Sequence, residues 1–187
     1  KDKDEEIYPQ DLYKQTNHIT KKTHLIKTWC DMVGVKYNNE QPKLHFNFRD
    51  VEEGKNIVQQ CNNPEKPLLV FQPFGGPGPD HQSSPYSWTR DIHPSHAQKI
   101  VDGIVSKYNV LHVCYEFHPK LNNCHRLDKI ISKKALFAML AFSQKRIFID
   151  SSLQHAAAAL NLPSTVAWVA TQPQIFGYDT HTNFVPK

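Results

Sequence analysis

The feature that most constrains the fold of this chain is an alternation of short apolar runs with helical patterns between residues 68 and 169. Short runs that are apolar throughout are typical of strands buried on both faces of a parallel sheet. The predicted strands are residues 68–71, 110–115, 147–149 and 165–169. The predicted helices between them are residues 94–108, 132–144 and an alanine-rich stretch that ends at Leu160. This order predicts an α/β fold, with a Rossmann-like parallel sheet covered by helices on both faces.

The chain before this alternation has a different pattern. Apolar residues recur at helical spacing between residues 19 and 33, and Gly34 follows them as a C-terminal cap would. Residues 35–49 have an extended pattern in which apolar and polar side chains alternate. Asp50 is the predicted N-cap of a second helix that reaches Cys61.

A polar break after this helix, Asn62-Asn63-Pro64, suggests a division of the chain into two parts. Residues 1–62 are predicted to be a linker and helical segment, which we expect to be a remnant of a larger chain. Residues 63–187 are predicted to be the Rossmann-like domain. The division places every predicted strand in the second part.

Composition and charge narrow the class of protein. A hydrophobic fraction of 39% and a charged fraction of 21% are typical of a soluble globular protein. The net charge is +4, and Lys and Arg are scattered among acidic residues, which gives little support for nucleic-acid binding. No apolar run approaches the ~20 residues of a membrane span, so we expect a cytoplasmic protein. The four cysteines show neither a CxxC pair nor zinc-site spacing, so we expect no metal.

Ligands of open parallel sheets bind beyond the carboxyl ends of the strands, so residues that directly follow strands are the candidate site residues. Gly75 and Gly76, followed by Gly78, could let a phosphate approach backbone N–H groups. The alternative interpretation is a flexible turn. Glu116 follows the second strand, where a carboxylate could accept hydrogen bonds from ribose hydroxyls. The alternative is an ordinary exposed loop glutamate.

The third candidate is the turn from the third strand into the alanine-rich helix, Asp150-Ser151-Ser152. Free N–H groups and the helix dipole make such a turn an anion site. His155 lies one turn further along and could share the ligand side of the helix. Alternatively, Asp150 or Ser151 simply caps the helix, and His155 packs against the sheet.

From about Trp29 to Tyr178 the chain resembles the C-terminal part of glycosyltransferase family 9, the ADP-heptose:lipopolysaccharide heptosyltransferases. The family pattern is a strand, Asp-Ser/Thr-Gly-x-x-His, a helix of small residues, Pro, a strand and Thr-x-Pro. This chain matches its order and spacing with residues 148–163, Thr171-Gln172-Pro173 and Gly177. Upstream, residues 69–73 with Trp88 resemble the first strand of the family's domain and the tryptophan after its phosphate loop.

The resemblance implies one half of a GT-B fold, in which two Rossmann-like domains face each other across a cleft. The C-terminal domain holds a nucleotide sugar, and the N-terminal domain holds the acceptor and a catalytic aspartate. Glu116 would then meet the ribose, and Gly75 and Gly76 would line the phosphate loop. The residues around the diphosphate and the sugar would be Asp150, Ser151, Ser152 and His155.

Two positions depart from the family pattern. Ser152 stands where the family has glycine, so its Cβ would approach the pyrophosphate. The family's lysine before the tryptophan is missing, because Tyr86 and Ser87 stand there. Arg90 could replace the charge of that lysine as a phosphate contact.

We therefore expect the donor-binding part of an inverting sugar transferase that uses a nucleoside diphosphate sugar, for instance an ADP-sugar, without a cofactor. The acceptor would be a saccharide or a lipid-linked sugar, so the protein could lie at the inner face of the membrane. We expect the catalytic base in a second domain that this chain lacks, and no catalytic residue is assigned within the chain. The alternative is a non-catalytic module that binds a nucleotide or sugar, or a structural protein with a decayed transferase fold.

Overall fold

A computed structural model describes residues 15–20, 22–61, 65–76, 89–129 and 131–186, without the side chains of Asn17 and Ile19. Among the sequence predictions, those on Gly78, Tyr86, Ser87 and Trp88 lie outside the described residues.

A six-stranded parallel sheet organises the described residues. The strands are β1 (Leu68–Phe71), β2 (Asn109–Val113), β3 (His125–Leu127), β4 (Lys145–Ile149), β5 (Thr165–Ala167) and β6 (Thr182–Phe184). They lie side by side in the order β3-β2-β1-β4-β5-β6, and each pair of neighbours is parallel. This is the strand order of the Rossmann fold. The predicted α/β fold class is therefore confirmed.

Helices precede and separate the strands. They are α1 (Thr16–Thr20), α2 (Leu25–Met32), α3 (Phe48–Cys61), α4 (Pro94–Ile104), α5 (Lys133–Met139), α6 (Ser152–Ala159) and α7 (Pro173–Phe176). A 3₁₀ turn, Leu140–Phe142, continues α5. No helix in the part of the chain that the structure describes is long and apolar enough to cross a membrane.

Each face of the sheet packs against its own set of helices, because successive strand residues point to opposite faces. In β1, Leu68 and Val70 join a core with residues of α3, α5 and α6. Leu69 and Phe71 join the opposite core, which includes residues of α4. Gly54 of α3 packs closely against α5, since a Cβ there would lie 2.8 Å from the Met139 backbone nitrogen. Residues 48–61, which the predicted division assigned to the N-terminal segment, thus share a core with the sheet.

One local prediction before β1 is wrong. α3 begins at Phe48 rather than after Asp50, and residues 35–47 before it form neither helix nor strand. Asn47 and Asp50 explain this start, because each side chain accepts a hydrogen bond from the other residue's backbone N–H at 2.9 and 3.0 Å. Asp50 thus closes a capping box from the third helical position instead of capping the helix itself.

Two strands, β3 and β6, were not predicted from the sequence. Each has three residues, and the β3 sequence His-Arg-Leu and the β6 sequence Thr-Asn-Phe lack a continuous apolar run. They form the two edges of the sheet, where pairing to β2 and β5 determines their conformation. Edge strands are exposed on one side, so the sequence signal of full burial is missing.

Candidate functional site

The candidate site lies where the strand order of the sheet reverses, between β1 and β4. In open α/β sheets this position forms a crevice at the carboxyl ends of the strands. β1 leads into residues 72–76 and β4 leads into residues 150–152. The Ser151 hydroxyl donates a hydrogen bond to Oε1 of Gln72 across the two loops. Two of the predicted segments, the glycine loop and the Asp150 turn, therefore meet at one edge of the sheet.

The N-terminus of α6 faces this edge without a side-chain cap. Ser151 is the N-cap residue, with extended backbone angles φ −155° and ψ 172°, and its side chain caps no N–H group among the described residues. Its hydroxyl is directed to Gln72 instead. Ser152, the first residue of the helix, is exposed. Within the described structure the Ser151 side chain thus leaves the first-turn N–H groups of α6 uncapped, and such groups suit water or an anion.

The glycine loop is built differently. Gly75 is buried, and its N–H donates to Oδ1 of Asp91 at 2.8 Å. The buried His118 ring also hydrogen-bonds to the Gly75 backbone. Nδ1 of that ring accepts a hydrogen bond from the Tyr115 N–H at 3.0 Å, so Nε2 carries the proton and donates to Gly75. Gly76 is partly exposed, and a Cβ there would meet no atom of the described residues within 4 Å.

Arg90 provides the positive charge at the switch point. A Cβ on Gly75 would lie 3.2 Å from Nη2 of Arg90, so the guanidinium lies against this glycine. Burial raises the pKa of the Asp150 carboxyl, while Thr171, the Arg90 charge and Gln154 lower this pKa in part. Arg90 and Asp150 therefore lie close enough to interact electrostatically at the same edge.

A cavity of about 230 Å³ opens beside this edge, at the ends of β1, β2 and β3. Ser152 forms part of one wall and Tyr115 part of another. Two lysines, Lys129 and Lys133, give the cavity positive charge. Its apolar lining consists of Phe74, Val113, Leu127, Ile131 and Leu136. Apolar walls with a few polar groups are typical of small-ligand sites.

Glu116 lies at the end of β2 but does not line this cavity. Glu116 is exposed, and its backbone carbonyl accepts a hydrogen bond from Nη2 of Arg126 at 2.7 Å. The same guanidinium binds the Tyr115 carbonyl at 2.8 Å, and its Nε donates to Asp128 at 2.7 Å. Arg126 thus holds the loop that presents Tyr115 and Glu116, and the contact of Glu116 with a ribose stays a prediction.

His155 lies in a polar cluster with Tyr178. Its Nδ1 is 2.9 Å from the Tyr178 hydroxyl, and the two rings meet edge to face with centroids 5.5 Å apart. Burial lowers the pKa of His155 to about 4, with smaller contributions in the same direction from the nearby His24 and His181. The His155 ring of the free chain is therefore neutral at neutral pH.

Sequence reasoning missed several residues that shape the site. Gln72 and Thr171 were part of the family resemblance but had no assigned role. Tyr178 marked only the end of that resemblance. Arg126, in the short strand β3, and His118, in the loop after β2, gave no signal in the sequence, because charged and polar residues are ordinarily exposed. Within the part of the chain that the structure describes, no three His, Cys, Asp or Glu side chains group as metal ligands would.

No protein-family model matches the sequence, and no curated protein matches it. Solved structures do match. A glycosyl transferase family 9 protein from Veillonella parvula DSM 2008 has a TM-score of 0.67 at 10% identity, over 89% of this chain and 49% of that one. E. coli heptosyltransferase WaaC with ADP has a TM-score of 0.56 at 13% identity, over 94% of this chain and 54% of that one. E. coli ADP-heptose lps heptosyltransferase II has a TM-score of 0.53 at 19% identity, over 81% of this chain and 47% of that one.

This chain spans about half the length of each of these structures. At such low identity the similarity concerns the fold alone, and it agrees with the Rossmann-like strand order. The chain therefore has the Rossmann-like fold of one half of a GT-B glycosyltransferase, as found in family 9 and the heptosyltransferases.

Proposed function

We propose that this chain is the donor-binding domain of a glycosyltransferase and binds a nucleoside diphosphate sugar at the β1–β4 switch point. One observation carries the proposal. Arg90, Asp150 and the uncapped N-terminus of α6 meet at the edge where such folds bind nucleotides. The similarity to a heptosyltransferase solved with ADP supports the same ligand class.

The diphosphate would lie between the first turn of α6 and Arg90. The helix N-terminus has a partial positive charge and free N–H donors, which suit phosphate oxygens. Arg90 would supply the full positive charge that the absent family lysine would otherwise supply. The Asp150 carboxylate repels a phosphate, so it would accept a hydrogen bond from a sugar hydroxyl. Gly75 and Gly76 would border the phosphates, with Gly75 as a support for Arg90.

The nucleoside would extend toward the cavity at the ends of β1, β2 and β3. The apolar walls of this cavity, Val113 and Leu127 among them, suit one face of a nucleobase. Glu116, exposed next to the cavity residue Tyr115, would accept hydrogen bonds from ribose hydroxyls. Nothing in this arrangement selects one nucleobase, although an ADP-sugar is the donor that the family resemblance favours.

In the proposed reaction an acceptor hydroxyl attacks the anomeric carbon as the bond from that carbon to the diphosphate oxygen breaks. The electron pair of this bond leaves with the diphosphate, whose negative charge Arg90 and the α6 N–H groups would stabilise. The hydroxyl proton passes to a base on an acceptor-binding domain, which would also hold the saccharide or lipid-linked acceptor. This domain would correspond to the part of the matched structures that the chain does not span.

The second candidate is a non-catalytic module that binds a nucleotide or a sugar. It is favoured by Ser152, whose exposed side chain occupies a position that is glycine in the family pattern. A fold alone does not determine activity. In this case the chain would bind the same ligand class without transfer even beside an acceptor domain.

Calorimetry with ADP, GDP, UDP and an ADP-sugar tests the binding step. We expect saturable binding of at least one diphosphate, weakened by Arg90→Met and unaffected by Lys107→Met, which removes an exposed charge beyond α4. Failure of every nucleotide to bind the folded chain at millimolar concentration would refute the proposal. Binding without sugar transfer when a family acceptor domain and a heptose acceptor are added would favour the non-catalytic module.

A further inference from the structure

We infer that Tyr178 is a positioning residue that holds His155 in a single tautomer, with the proton on Nε2. His155 would then meet the bound nucleotide sugar as a neutral hydrogen-bond donor. The inference rests on the proposed function for its ligand, but the tautomer itself is a property of the free chain.

The direction of the hydrogen bond follows from the partners of the Tyr178 hydroxyl. Among the described residues, the hydroxyl has one hydrogen-bond partner, Nδ1 of His155 at 2.9 Å. A buried tyrosine hydroxyl donates where an acceptor is within reach. Burial, Tyr37 and Asp150 together raise the pKa of Tyr178 to about 12, so the hydroxyl keeps its proton. Nδ1 of His155 is therefore the acceptor, and the single proton of the neutral ring lies on Nε2.

Gln154 does not compete for either ring nitrogen. Its Nε2 is 3.3 Å from Nδ1 and 3.2 Å from Nε2 of His155. An atom at nearly equal distances from both nitrogens lies over the ring, away from the lone-pair direction of each. The same amide donates to the Phe176 carbonyl at 2.9 Å. The Tyr178 hydroxyl thus determines the tautomer.

Tyr178 is itself held in place. Its ring is buried and meets the His24 ring edge to face, with centroids 5.4 Å apart. Nε2 of His24 is 2.8 Å from the carbonyl of Gly177, the preceding residue. Gly177 is required for this turn, because a Cβ there would lie 2.7 Å from the Pro173 carbonyl oxygen. The hydroxyl is therefore fixed by its backbone and by its neighbours.

Several ionisable groups surround the pair. His24 precedes α2, His181 precedes β6, Asp150 follows β4, and Tyr37 lies after α2. Burial and the two histidines keep the His155 ring neutral. A neutral donor suits a sugar hydroxyl or a phosphate oxygen whose charge is already balanced by Arg90. Arg90 would thus supply the positive charge, and His155 would supply a hydrogen-bond donor with a fixed direction.

Nitrogen NMR of the histidine-labelled chain tests the inference, because the two tautomers have different ¹⁵N shifts. We expect wild-type His155 to show the pattern of a fixed Nε2–H tautomer at pH 7. Tyr178→Phe keeps the ring and its packing but removes the hydroxyl, so we expect a mixture of tautomers. Tyr108→Phe makes the same chemical change beside the α4 core and should leave the His155 signals unchanged.

Calorimetry with ADP connects the tautomer to ligand binding. Loss of the fixed donor direction in Tyr178→Phe should weaken ADP binding about threefold to tenfold, the effect of one neutral hydrogen bond. His155→Gln offers a rescue, since its amide nitrogen reaches the place of Nε2. His155→Asn places its amide nearer the position of Nδ1 and should bind ADP as weakly as His155→Ala.

The outcomes separate this inference from the proposed function. An Nδ1–H or mixed tautomer in the wild type, or an unchanged tautomer in folded Tyr178→Phe, would overturn the positioning role whether or not ADP binds. ADP affinity equal to that of the wild type in Tyr178→Phe, with an altered tautomer, would overturn the donor role. If the wild type binds no nucleotide, the proposed function fails, and the NMR result still decides the tautomer.

Discussion

The two sides of the β1–β4 switch point use their backbone donors in opposite ways. On the glycine side, the Gly75 N–H is bound by Asp91, and His118 hydrogen-bonds to the same backbone. On the helix side, Ser151 directs its hydroxyl to a neighbouring loop, and its side chain caps no N–H of α6 within the described structure. The glycine side is closed by contacts within the protein, whereas the helix side is open to a ligand.

This difference shows that glycines after a strand do not by themselves make a phosphate cradle. A cradle needs free N–H groups, and at Gly75 the N–H group already has a buried acceptor. The absence of a side chain at Gly75 instead makes room for the Arg90 guanidinium. We therefore expect an anion to contact Arg90 and α6, with the glycine side as a rigid support.

The largest expected effect on the stability of the fold concerns the glycine side. His112 of β2 is fully buried, packs against Phe74 with ring centroids 5.6 Å apart, and has no hydrogen-bond partner among the described residues. Burial lowers its pKa to about 4, with smaller contributions in the same direction from the charge of Arg126 and from His118. Below pH 6.5 the unfolded chain therefore binds a proton that the folded chain does not. The contribution of the neutral His112 to stability is therefore complete above pH 6.5 and is lost as the pH falls toward 4.

His112→Leu should remove this pH dependence, which amounts to about 2 kcal/mol between pH 7.5 and pH 5. An apolar side chain leaves no unpaired ring nitrogen, so we expect little loss of stability at pH 7.5. Urea unfolding of both proteins at three pH values measures the difference. ADP affinity at pH 7.5 should change less than twofold, and a tenfold loss would show that this side takes part in binding.

The next effect concerns the charge at the open side. Arg90→Met should weaken ADP binding by about 1.5–3 kcal/mol, because it removes a charge-assisted contact. Arg90→Lys keeps the charge but lacks the planar guanidinium, so its affinity for ADP should lie between those of the wild type and Arg90→Met. Lys107→Met is the matched control, since Lys107 lies between α4 and the start of β2, at the amino ends of the strands. If calorimetry gives Arg90→Met and the wild type the same affinity for ADP, the diphosphate does not contact Arg90.

A smaller effect is expected at Ser152, the first residue of α6. If its Cβ crowds the diphosphate, Ser152→Gly should tighten ADP binding about twofold to fivefold while costing roughly 0.5–1 kcal/mol of stability. Ser152→Ala keeps the Cβ and removes only the hydroxyl, so it separates crowding from hydrogen bonding. Weaker binding in both variants would mean that the hydroxyl contacts the ligand.

The smallest effect is expected at Gly76. A Cβ there would meet no atom of the described part of the chain within 4 Å, and φ lies outside the left-handed region. Gly76→Ala should leave ADP affinity within twofold of the wild type and stabilise the fold by about 0.4–1 kcal/mol. Gly75→Ala should weaken ADP binding, because the new Cβ, 3.2 Å from Nη2, pushes on Arg90. A tenfold loss of ADP affinity in Gly76→Ala would show that the glycine loop contacts the phosphates. The glycine side would then be a binding surface rather than a support.

The parts of the fold that could be predicted are the strands that are buried along their whole length, because they appear in the sequence as short continuous apolar runs. β1 and β4 lie at the centre of the sheet, and runs such as Leu68–Phe71 are buried along their whole length. The start of α3 could not be predicted correctly, because Asn47 and Asp50 are both good caps and their mutual hydrogen bonds decide the outcome. At the edges, pairing to a neighbouring strand decides the structure.

The sequence by itself determined the strand–helix alternation, and with it the edge at which Gly75, Glu116 and Asp150 lie. Local patterns suffice for this, because side-chain periodicity and caps act within a few residues. Only the tertiary structure decided which donors are already used and which groups carry charge. The deciding contacts join residues 16, 23 and 79 positions apart, Gly75 to Asp91, His155 to Tyr178 and Ser151 to Gln72. Burial and hydrogen bonding determine the charge of a group, and both depend on partners that are distant in the sequence.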